Sequence, residues 1–203
     1  MQQFEELKFG HFYHIYNHAV GGRNLFYEVK NYEYFLKLYE KYISSVAETY
    51  AWVLMKNHFH LLVRIKEESD VVGSFTPDRV SNPVRGKITT MQFSKLFNAY
   101  AQAFNKYHQE RGALFERPFK RKLITNDDYL KQVILYIHNN PVHHGFCKHP
   151  IEYPWTSYLT CISKQPTNLK RDTVIEWFFD RANFIAVHEQ KIDRDGIEGW
   201  LES

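Results

Sequence analysis

The sequence predicts an α+β fold in which helices pack on an antiparallel sheet, and three observations support this. Residues 10–19 alternate with a period of two, as a strand does. Residues 31–46 and 93–112 repeat apolar side chains at steps of three and four, as amphipathic helices do. Strand-like and helix-like segments also follow each other in mixed order, and 203 residues are enough for one sizeable core.

The first half of the chain supplies three strands and one helix. In residues 10–19, Phe12, His14, Tyr16 and His18 share one face, and Gly21-Gly22 marks the turn that follows. The helix over 31–46 comes next. Residues 49–55 and 58–65 then predict two strands joined by a short turn at residues 56–57, which indicates a hairpin.

The second half begins with a predicted loop over residues 68–87, which contain two prolines and two glycines. The helix from residue 93 ends at Gly112, and residues 119–124 form a short basic strand. Asn126 or Asp127 can cap a helix that runs to Asn139 and is stopped by Pro141 and Gly145.

This order, β-α-β-β-α-β followed by one more helix, is typical of the ferredoxin-like fold. Residues 171–190 predict one or two further helices. We therefore expect one domain over residues 1–160 and a helical C-terminal extension over 161–203 that packs on it.

Composition excludes several classes of protein. The net charge is only +3, so the overall charge does not indicate a polyanionic partner. Two cysteines are too few for a disulfide framework, which favours a reducing cytoplasm. No apolar run approaches the ~18 residues of a membrane-spanning helix, and the first residues lack the pattern of a signal peptide. We expect a cytoplasmic protein without membrane contact.

Two histidines in the predicted strand 58–65 are the first candidate site. His58 and His60 are two residues apart, so they project from the same face while Phe59 packs into the other. Two adjacent imidazoles can chelate one divalent cation. The competing interpretation, that they are polar residues on the solvated face of an antiparallel strand, stays open on spacing alone.

A helix face and a basic segment are the second candidate. Tyr129, Gln132 and Tyr136 lie on one face of the helix that begins near residue 127. The preceding basic residues are interleaved with Phe115 and Phe119, a mixture that can bind phosphates and stack the bases of a single strand. These basic residues are Arg111, Arg117, Lys120, Arg121 and Lys122. The same run could instead be a solvated edge strand that prevents aggregation.

Together these motifs resemble a known family. Residues 57–63, Asn-His-Phe-His-Leu-Leu-Val, resemble the His-hydrophobic-His motif of the HUH endonucleases. Residues 127–132, 136–145 and 155–158 resemble the REP-associated tyrosine transposases, relatives of the single-tyrosine transposases of small insertion sequences. The resemblance covers roughly residues 9–160. It implies a ferredoxin-like enzyme that cleaves and rejoins single-stranded DNA through a 5′-phosphotyrosine intermediate, with a divalent metal.

The resemblance also implies roles for individual residues. Tyr129 would be the nucleophile, with Tyr136 as the alternative, and His58 and His60 would bind Mg²⁺ or Mn²⁺. The third ligand of relatives is a His or Gln beyond the tyrosine, which Gln132 matches here. The implied partner is single-stranded DNA with hairpin-forming ends, in a protein associated with the nucleoid. Both a monomer and a homodimer stay open.

Two other functions compete with this one. The chain could be a relative that binds DNA hairpins without cutting them. It could also bind RNA through aromatic residues of the sheet, in which case the histidines are incidental. The aromatic residues that keep the RNA alternative open are Phe12, Tyr13, Tyr16 and Trp52.

Overall fold

The computed structural model describes residues 6–74 and 87–190, together with Gly199. The four strands are β1 (Phe12–His18), β2 (Ala47–Leu54), β3 (His58–Ile65) and β4 (Lys120–Ile124). The helices are α1 (Val29–Ile43), α2 (Glu68–Gly73), α3 (Ile88–His108), α4 (Asp127–His143), α5 (Tyr158–Ile162), α6 (Arg171–Trp177) and α7 (Arg181–His188). Among these described residues, no helix is both long and apolar enough to cross a membrane.

The strands form one antiparallel sheet in the order β2-β3-β1-β4. This order and the succession of elements confirm the predicted ferredoxin-like fold. The pairing of β1 with β3 sets Tyr16 opposite His60 and His18 opposite His58. On its other side β1 pairs with β4, where Tyr16 lies opposite Lys120. Because directly paired residues point to the same face, one face of the sheet collects the histidines.

Helices cover both faces of the sheet. α1 and α3 pack together on the face that carries Ile15, Phe59 and Leu61. α4 packs on the opposite face, which is the face of His58 and His60. Both histidines are only 4% exposed. The interpretation that His58 and His60 are polar residues on a solvated face is therefore wrong. Helix α4 covers this face, which would face water in a sheet with helices on one side only.

Helix α4 is one turn longer than the sequence predicts: the predicted end is Asn139, whereas the helix continues through Pro141 to His143. Its end is held by hydrogen bonds from the His144 N–H to the Asn140 carbonyl and from the Phe146 N–H to the Pro141 carbonyl. Gly145, with φ at 72°, then turns the chain. Proline removes only one donor, and packing on the sheet compensates for that loss. This extra turn brings Asn140 and His144 against β3.

Residues 68–73 also differ from the prediction. They form the short helix α2 where the sequence predicts the start of a loop. The remainder of that predicted loop, residues 75–86, and residues 191–198 and 200–203 of the predicted C-terminal extension lie outside the described residues.

The C-terminal helices contact α4 through a buried chain of hydrogen bonds. His138 of α4 lies between Ser157 and His188, and all three are at most 2% exposed. The Nδ1–H of His188 donates to the Phe184 carbonyl at 2.6 Å. His138 Nδ1–H must therefore donate to His188 Nε2 at 2.9 Å, and Ser157 Oγ–H must donate to His138 Nε2 at 2.8 Å. Both rings are neutral in this arrangement.

This chain of hydrogen bonds predicts a pH-dependent stability. Burial lowers the pKa of His188 to about 4, whereas the unfolded chain titrates at the ordinary 6.5. Between these values the unfolded state binds the proton and the folded state does not, so the unfolding free energy decreases as the pH falls. In His188→Phe we expect the decrease between pH 6.5 and 5.5, measured by urea unfolding, to be smaller by about 1 kcal/mol than in the wild type. The same pH dependence in both proteins would contradict this account.

Candidate functional site

Strands β1 and β3 build a layer of stacked rings on the face covered by α4. We call His14, Tyr16, His18, His58 and His60 the histidine layer. The ring of His60 stacks on those of His14 and Tyr16, with centroids 5.0 and 5.7 Å apart. His58 stacks on His18 at 4.9 Å. The alternation of both strands and the register of their pairing place these side chains together.

The Nδ1 atom of each histidine of β3 lies within hydrogen-bond distance of a neighbouring side chain. His58 Nδ1 lies 2.8 Å from Asn57 Oδ1, and His60 Nδ1 lies 3.0 Å from His14 Nε2. Histidines that bind a metal through one nitrogen nearly always hydrogen-bond through the other, which fixes the ring. With Nδ1 engaged in this way, Nε2 is the candidate ligand atom of each histidine, and that of His58 faces Asn140 Oδ1 at 3.0 Å.

Burial keeps these imidazoles neutral. The pKa of His58 is lowered to about 4: burial is the largest cause, the contact with Asn140 opposes it, and the neighbouring His18 and His144 add to the lowering. Burial, followed by the surrounding histidines, also holds the pKa of His60 well below its ordinary value. Neutral imidazole is the form that coordinates a metal, so both side chains are ready to bind one at neutral pH.

Helix α4 sets Tyr136 and Asn140 against the two histidines. The Tyr136 ring meets the His60 ring edge-on with centroids 5.2 Å apart, and Asn140 Oδ1 lies 3.0 Å from His58 Nε2. Residues four apart rise about 6 Å along a helix, and residues two apart span about 6.7 Å along a strand. The spacing of Tyr136 and Asn140 along α4 therefore matches the spacing of His60 and His58 along β3.

Both nitrogens of His58 face amide oxygens, those of Asn57 and Asn140. A neutral imidazole has a single N–H, so it can donate to only one of them. With the proton on Nδ1, His58 Nε2 and Asn140 Oδ1 present two lone pairs 3.0 Å apart. Adjacent ligands of an octahedral ion with bonds of about 2.1 Å are separated by about that distance. The donor set fits a divalent cation.

A third metal ligand would have to be a side chain other than His, Cys, Asp or Glu. Within residues 6–74 and 87–190, no group of three His, Cys, Asp or Glu side chains could hold a metal ion. The Asn140 amide places its Oδ1 3.0 Å from His58 Nε2, on the side of the ring that we assign to the metal. Two imidazoles with one amide oxygen suit Mn²⁺ better than Mg²⁺, which prefers oxygen ligands alone.

The other predicted residues of α4 lie elsewhere on the helix. Tyr129 is 36% exposed on the first turn, and Gln132 is exposed on the next. Seven residues separate Tyr129 from Tyr136, a rise of about 10 Å along the axis. The structure thus brings together His58, His60 and Tyr136, and it leaves Tyr129 and Gln132 near the exposed start of α4.

The five predicted basic residues do not form one surface. Because a strand alternates its side chains, Lys120 and Lys122 share the face of the histidine layer, opposite Tyr16 and His14. Arg121 points to the other face, where its Nη1 donates to Thr90 Oγ1 of α3 at 3.2 Å. Arg117 lies near the same helix, with Nη2 3.5 Å from Asn98 Oδ1. Arg111 is exposed in the segment after α3.

Sequence reasoning missed Asn140, His14 and His18 as parts of the site. The alternation of residues 12–18 was a usable signal, because the ferredoxin-like order places β1 beside β3 and so places His14 and His18 beside the pair. Asn140 could not be found in this way, since the predicted helix ended at Asn139.

Known proteins resemble this chain in sequence and in fold. No protein-family model matches the chain. A segment of 113 residues is 27% identical to a Haemophilus influenzae protein whose name assigns it provisionally to the REP-associated tyrosine transposases. That segment is 55% of this chain and 58% of the relative, so the chain spans little more than half the length of the relative.

A solved structure with a similar fold comes from a protein of the same name. The structure of a REP-associated tyrosine transposase bound to a REP hairpin superposes with a TM-score of 0.56 at 16% identity, and it covers 82% of this chain and 89% of its own. The likeness in fold thus extends over most of both proteins. In sequence and in fold, the chain therefore resembles the REP-associated tyrosine transposases, which confirms the resemblance inferred from its motifs.

Proposed function

We propose that this chain cleaves and rejoins single-stranded DNA at the histidine layer, as a transposase that forms a 5′-phosphotyrosine intermediate. The observation that carries the proposal is the contact of Tyr136 and Asn140 with His60 and His58. A tyrosine ring, two neutral imidazoles and an amide oxygen lie against one another, and a phenol beside such groups suits phosphoryl transfer assisted by a metal.

Tyr136 is the nucleophile in this proposal. Its phenol oxygen attacks the scissile phosphorus, the bond from phosphorus to the 3′ oxygen breaks, and the 3′ oxygen leaves as a hydroxyl. The proton that the phenol loses balances the proton that the 3′ oxygen takes up on leaving. The phosphodiester energy is kept in the new link, so rejoining to another 3′ end needs no ATP. Tyr129 is the second choice, because its distance along α4 requires the helix to shift before it reaches the pair.

His58 and His60 would hold the metal, with Asn140 as the third ligand and Gln132 as the alternative. When bound, a divalent cation supplies positive charge that stabilises the phosphate oxygens during the attack. The histidines themselves are held in place by Asn57 and His14, so little reorganisation is needed on binding.

The proposed substrate is a DNA hairpin with a single-stranded segment. The similar solved structure is bound to a REP hairpin. Lys120 and Lys122 stand beside the histidine layer on the open edge strand, where they would bind phosphates next to the cut. Lys120 Nζ also lies 5.8 Å from the centre of the Tyr16 ring, so cation and aromatic surface occur together.

Covalent capture tests this function. The wild-type protein with Mn²⁺ and a labelled single-stranded hairpin DNA should give an adduct that survives denaturing electrophoresis, and a chelator should abolish it. Tight binding without an adduct would favour the non-cleaving hairpin-binding protein. Tighter binding of the matching RNA hairpin than of DNA would favour the RNA-binding alternative.

A further inference from the structure

Helix α4 is held on two opposite flanks, and only one of them belongs to the proposed site. On the first flank, Tyr136 and Asn140 meet the histidine layer. His138 lies midway between them in sequence and is completely buried. Successive residues turn by about 100° around a helix, so two residues along the chain His138 lies about 160° away from both. Contacts of His138 therefore hold α4 from the other side.

The second flank is a buried path of hydrogen bonds from β2 to α7. The Trp52 N–H of β2 donates to Ser157 Oγ at 2.8 Å. The Ser157 hydroxyl in turn donates to His138 Nε2, and His138 Nδ1–H donates to His188 Nε2. We call Ser157, His138 and His188 the α4 anchor. Both ring nitrogens of His138 are engaged, so the anchor fixes this side chain from two directions.

Between the two flanks, α4 packs on the sheet through aliphatic side chains. Val133, Ile134 and Ile137 are completely buried in one apolar cluster with Val53 and Leu62 of the sheet. Burial of apolar surface is non-directional, so it tolerates a small roll of the helix about its axis. Hydrogen bonds weaken steeply as their angles change. The α4 anchor therefore adds the directional contacts that apolar packing lacks.

A small roll of α4 is enough to affect the proposed chemistry. The tip of a side chain lies about 5–6 Å from the axis of its helix, so a roll of about 10° moves it by about 1 Å. A misplacement of about 1 Å can cost about a hundredfold in rate. Tyr136 and Asn140 would move together in such a roll, because both lie on the same flank of α4.

We propose that His138 is a positioning residue for DNA cleavage: through the α4 anchor it fixes the roll of α4 and so aligns Tyr136 for the attack. The inference rests on the proposed function for the identity of the nucleophile. It also gives the C-terminal helix α7 a part in cleavage, because His188 belongs to that helix.

The test compares adduct formation in His138→Leu and His138→Gln. Leu fills the apolar site without hydrogen bonds, whereas the Gln amide offers an acceptor to Ser157 and a donor to His188. Labelled hairpin DNA is supplied in excess with saturating Mn²⁺ at neutral pH, so the amplitude follows the amount of folded protein and the rate constant reports the attack. We expect the rate constant to fall at least about tenfold in His138→Leu and to stay within about threefold in His138→Gln.

Two further readouts in His138→Leu do not depend on the rate. Hairpin affinity, measured by fluorescence anisotropy with a chelator present, should stay within about twofold of the wild type, because the phosphate contacts lie elsewhere. Affinity for Mn²⁺, measured by calorimetric titration, should fall about tenfold, because Asn140 moves with Tyr136.

Two variants separate positioning from stability. His188→Phe removes the acceptor of the His138 N–H and changes no residue of α4, so it should also lower the rate constant, and it carries the test alone if His138→Leu does not fold. Tyr100→Phe is the matched control. It removes a buried hydrogen bond, from the Tyr100 hydroxyl to the Leu25 carbonyl at 2.6 Å, in the core on the other face of the sheet. It should lower the melting temperature but leave the rate constant unchanged.

The remaining outcomes overturn the inference. Wild-type rate constants in His138→Leu and His188→Phe would make the anchor purely structural, while the wild-type adduct would still support the proposed function. A loss of rate in Tyr100→Phe as large as in His188→Phe would show that the effect follows stability. A loss in His138→Gln as large as in His138→Leu would show that the hydrogen bonds do not position the helix. Absence of an adduct in the wild type would overturn the proposed function and this inference together.

Discussion

Replacing Tyr136 with Phe should reduce the covalent DNA adduct by at least about a thousandfold, since the attacking oxygen is then missing. The ring is retained, and with it the edge-on contact with His60 at 5.2 Å. Hairpin binding should stay close to that of the wild type, because its energy comes mainly from phosphate contacts. The measurement is the fraction of labelled DNA that migrates with the protein in a denaturing gel.

Tyr129→Phe is the matched control. It makes the same chemical change on the same helix, at a residue that is 36% exposed rather than 5%. We expect the adduct to form at nearly the wild-type level. If Tyr129→Phe removes the adduct and Tyr136→Phe does not, Tyr129 is the nucleophile and α4 must move for cleavage. If both variants form the adduct at the wild-type level, neither Tyr136 nor Tyr129 is required as the nucleophile and this assignment is wrong.

Stability must be followed in parallel, because Tyr136 is buried. Loss of one hydroxyl should change the unfolding free energy by about 1 kcal/mol. A loss of the adduct in a protein that still melts near the wild-type temperature then reports on chemistry. A much larger destabilisation would assign Tyr136 a structural role.

His58→Gln and His60→Gln should each abolish cleavage and weaken Mn²⁺ binding. Each change removes a ligand nitrogen from a site with few donors, so we expect at least about a hundredfold loss of metal affinity. Calorimetric titration of the protein with Mn²⁺ measures this without reference to activity. DNA binding in the presence of a chelator should stay within about threefold, a difference of about 0.7 kcal/mol.

Variants of two other histidines serve as controls for the metal-binding measurement. His11 is exposed, just before β1, and His11→Gln should leave both Mn²⁺ binding and cleavage unchanged. His14 does not reach the metal in our proposal, but its Nε2 holds His60 Nδ1 at 3.0 Å. His14→Gln should therefore cost about 10- to 100-fold in metal affinity, as is usual for residues that orient a ligand. Wild-type metal affinity in all four variants would exclude the histidine layer as a metal site.

Local patterns in the sequence were sufficient for the fold. The period of residues 10–19, the helical repeats and the turn at residues 56–57 each depend on neighbours along the chain. Their order then restricts the sheet to a small number of topologies, of which the ferredoxin-like one is observed. The spacing of His58 and His60 likewise placed them on one face, because strand geometry alone decides this.

Only the tertiary structure shows which residues of α4 lie against the sheet face of His58 and His60. Helical periodicity groups Tyr129, Gln132 and Tyr136 on one side of α4, but it does not say how far the helix slides along the sheet. The extension of α4 through Pro141 depends on its packing, and it placed Asn140, not Gln132, against His58. The choice between two tyrosines was therefore beyond any local pattern.

The basic residues show the same contrast between what the sequence predicts and what only the folded structure shows. Their charge was evident in the sequence, and the alternation of β4 already separates Arg121 from Lys120 and Lys122. The concave surface between α3 and the segment before β4 was not evident, because these two parts of the chain meet only when the core is packed. Periodicity is a property of neighbouring residues and is written in the sequence. The position of one element against another is set by the packing of side chains distant along the chain, and only the folded structure shows it.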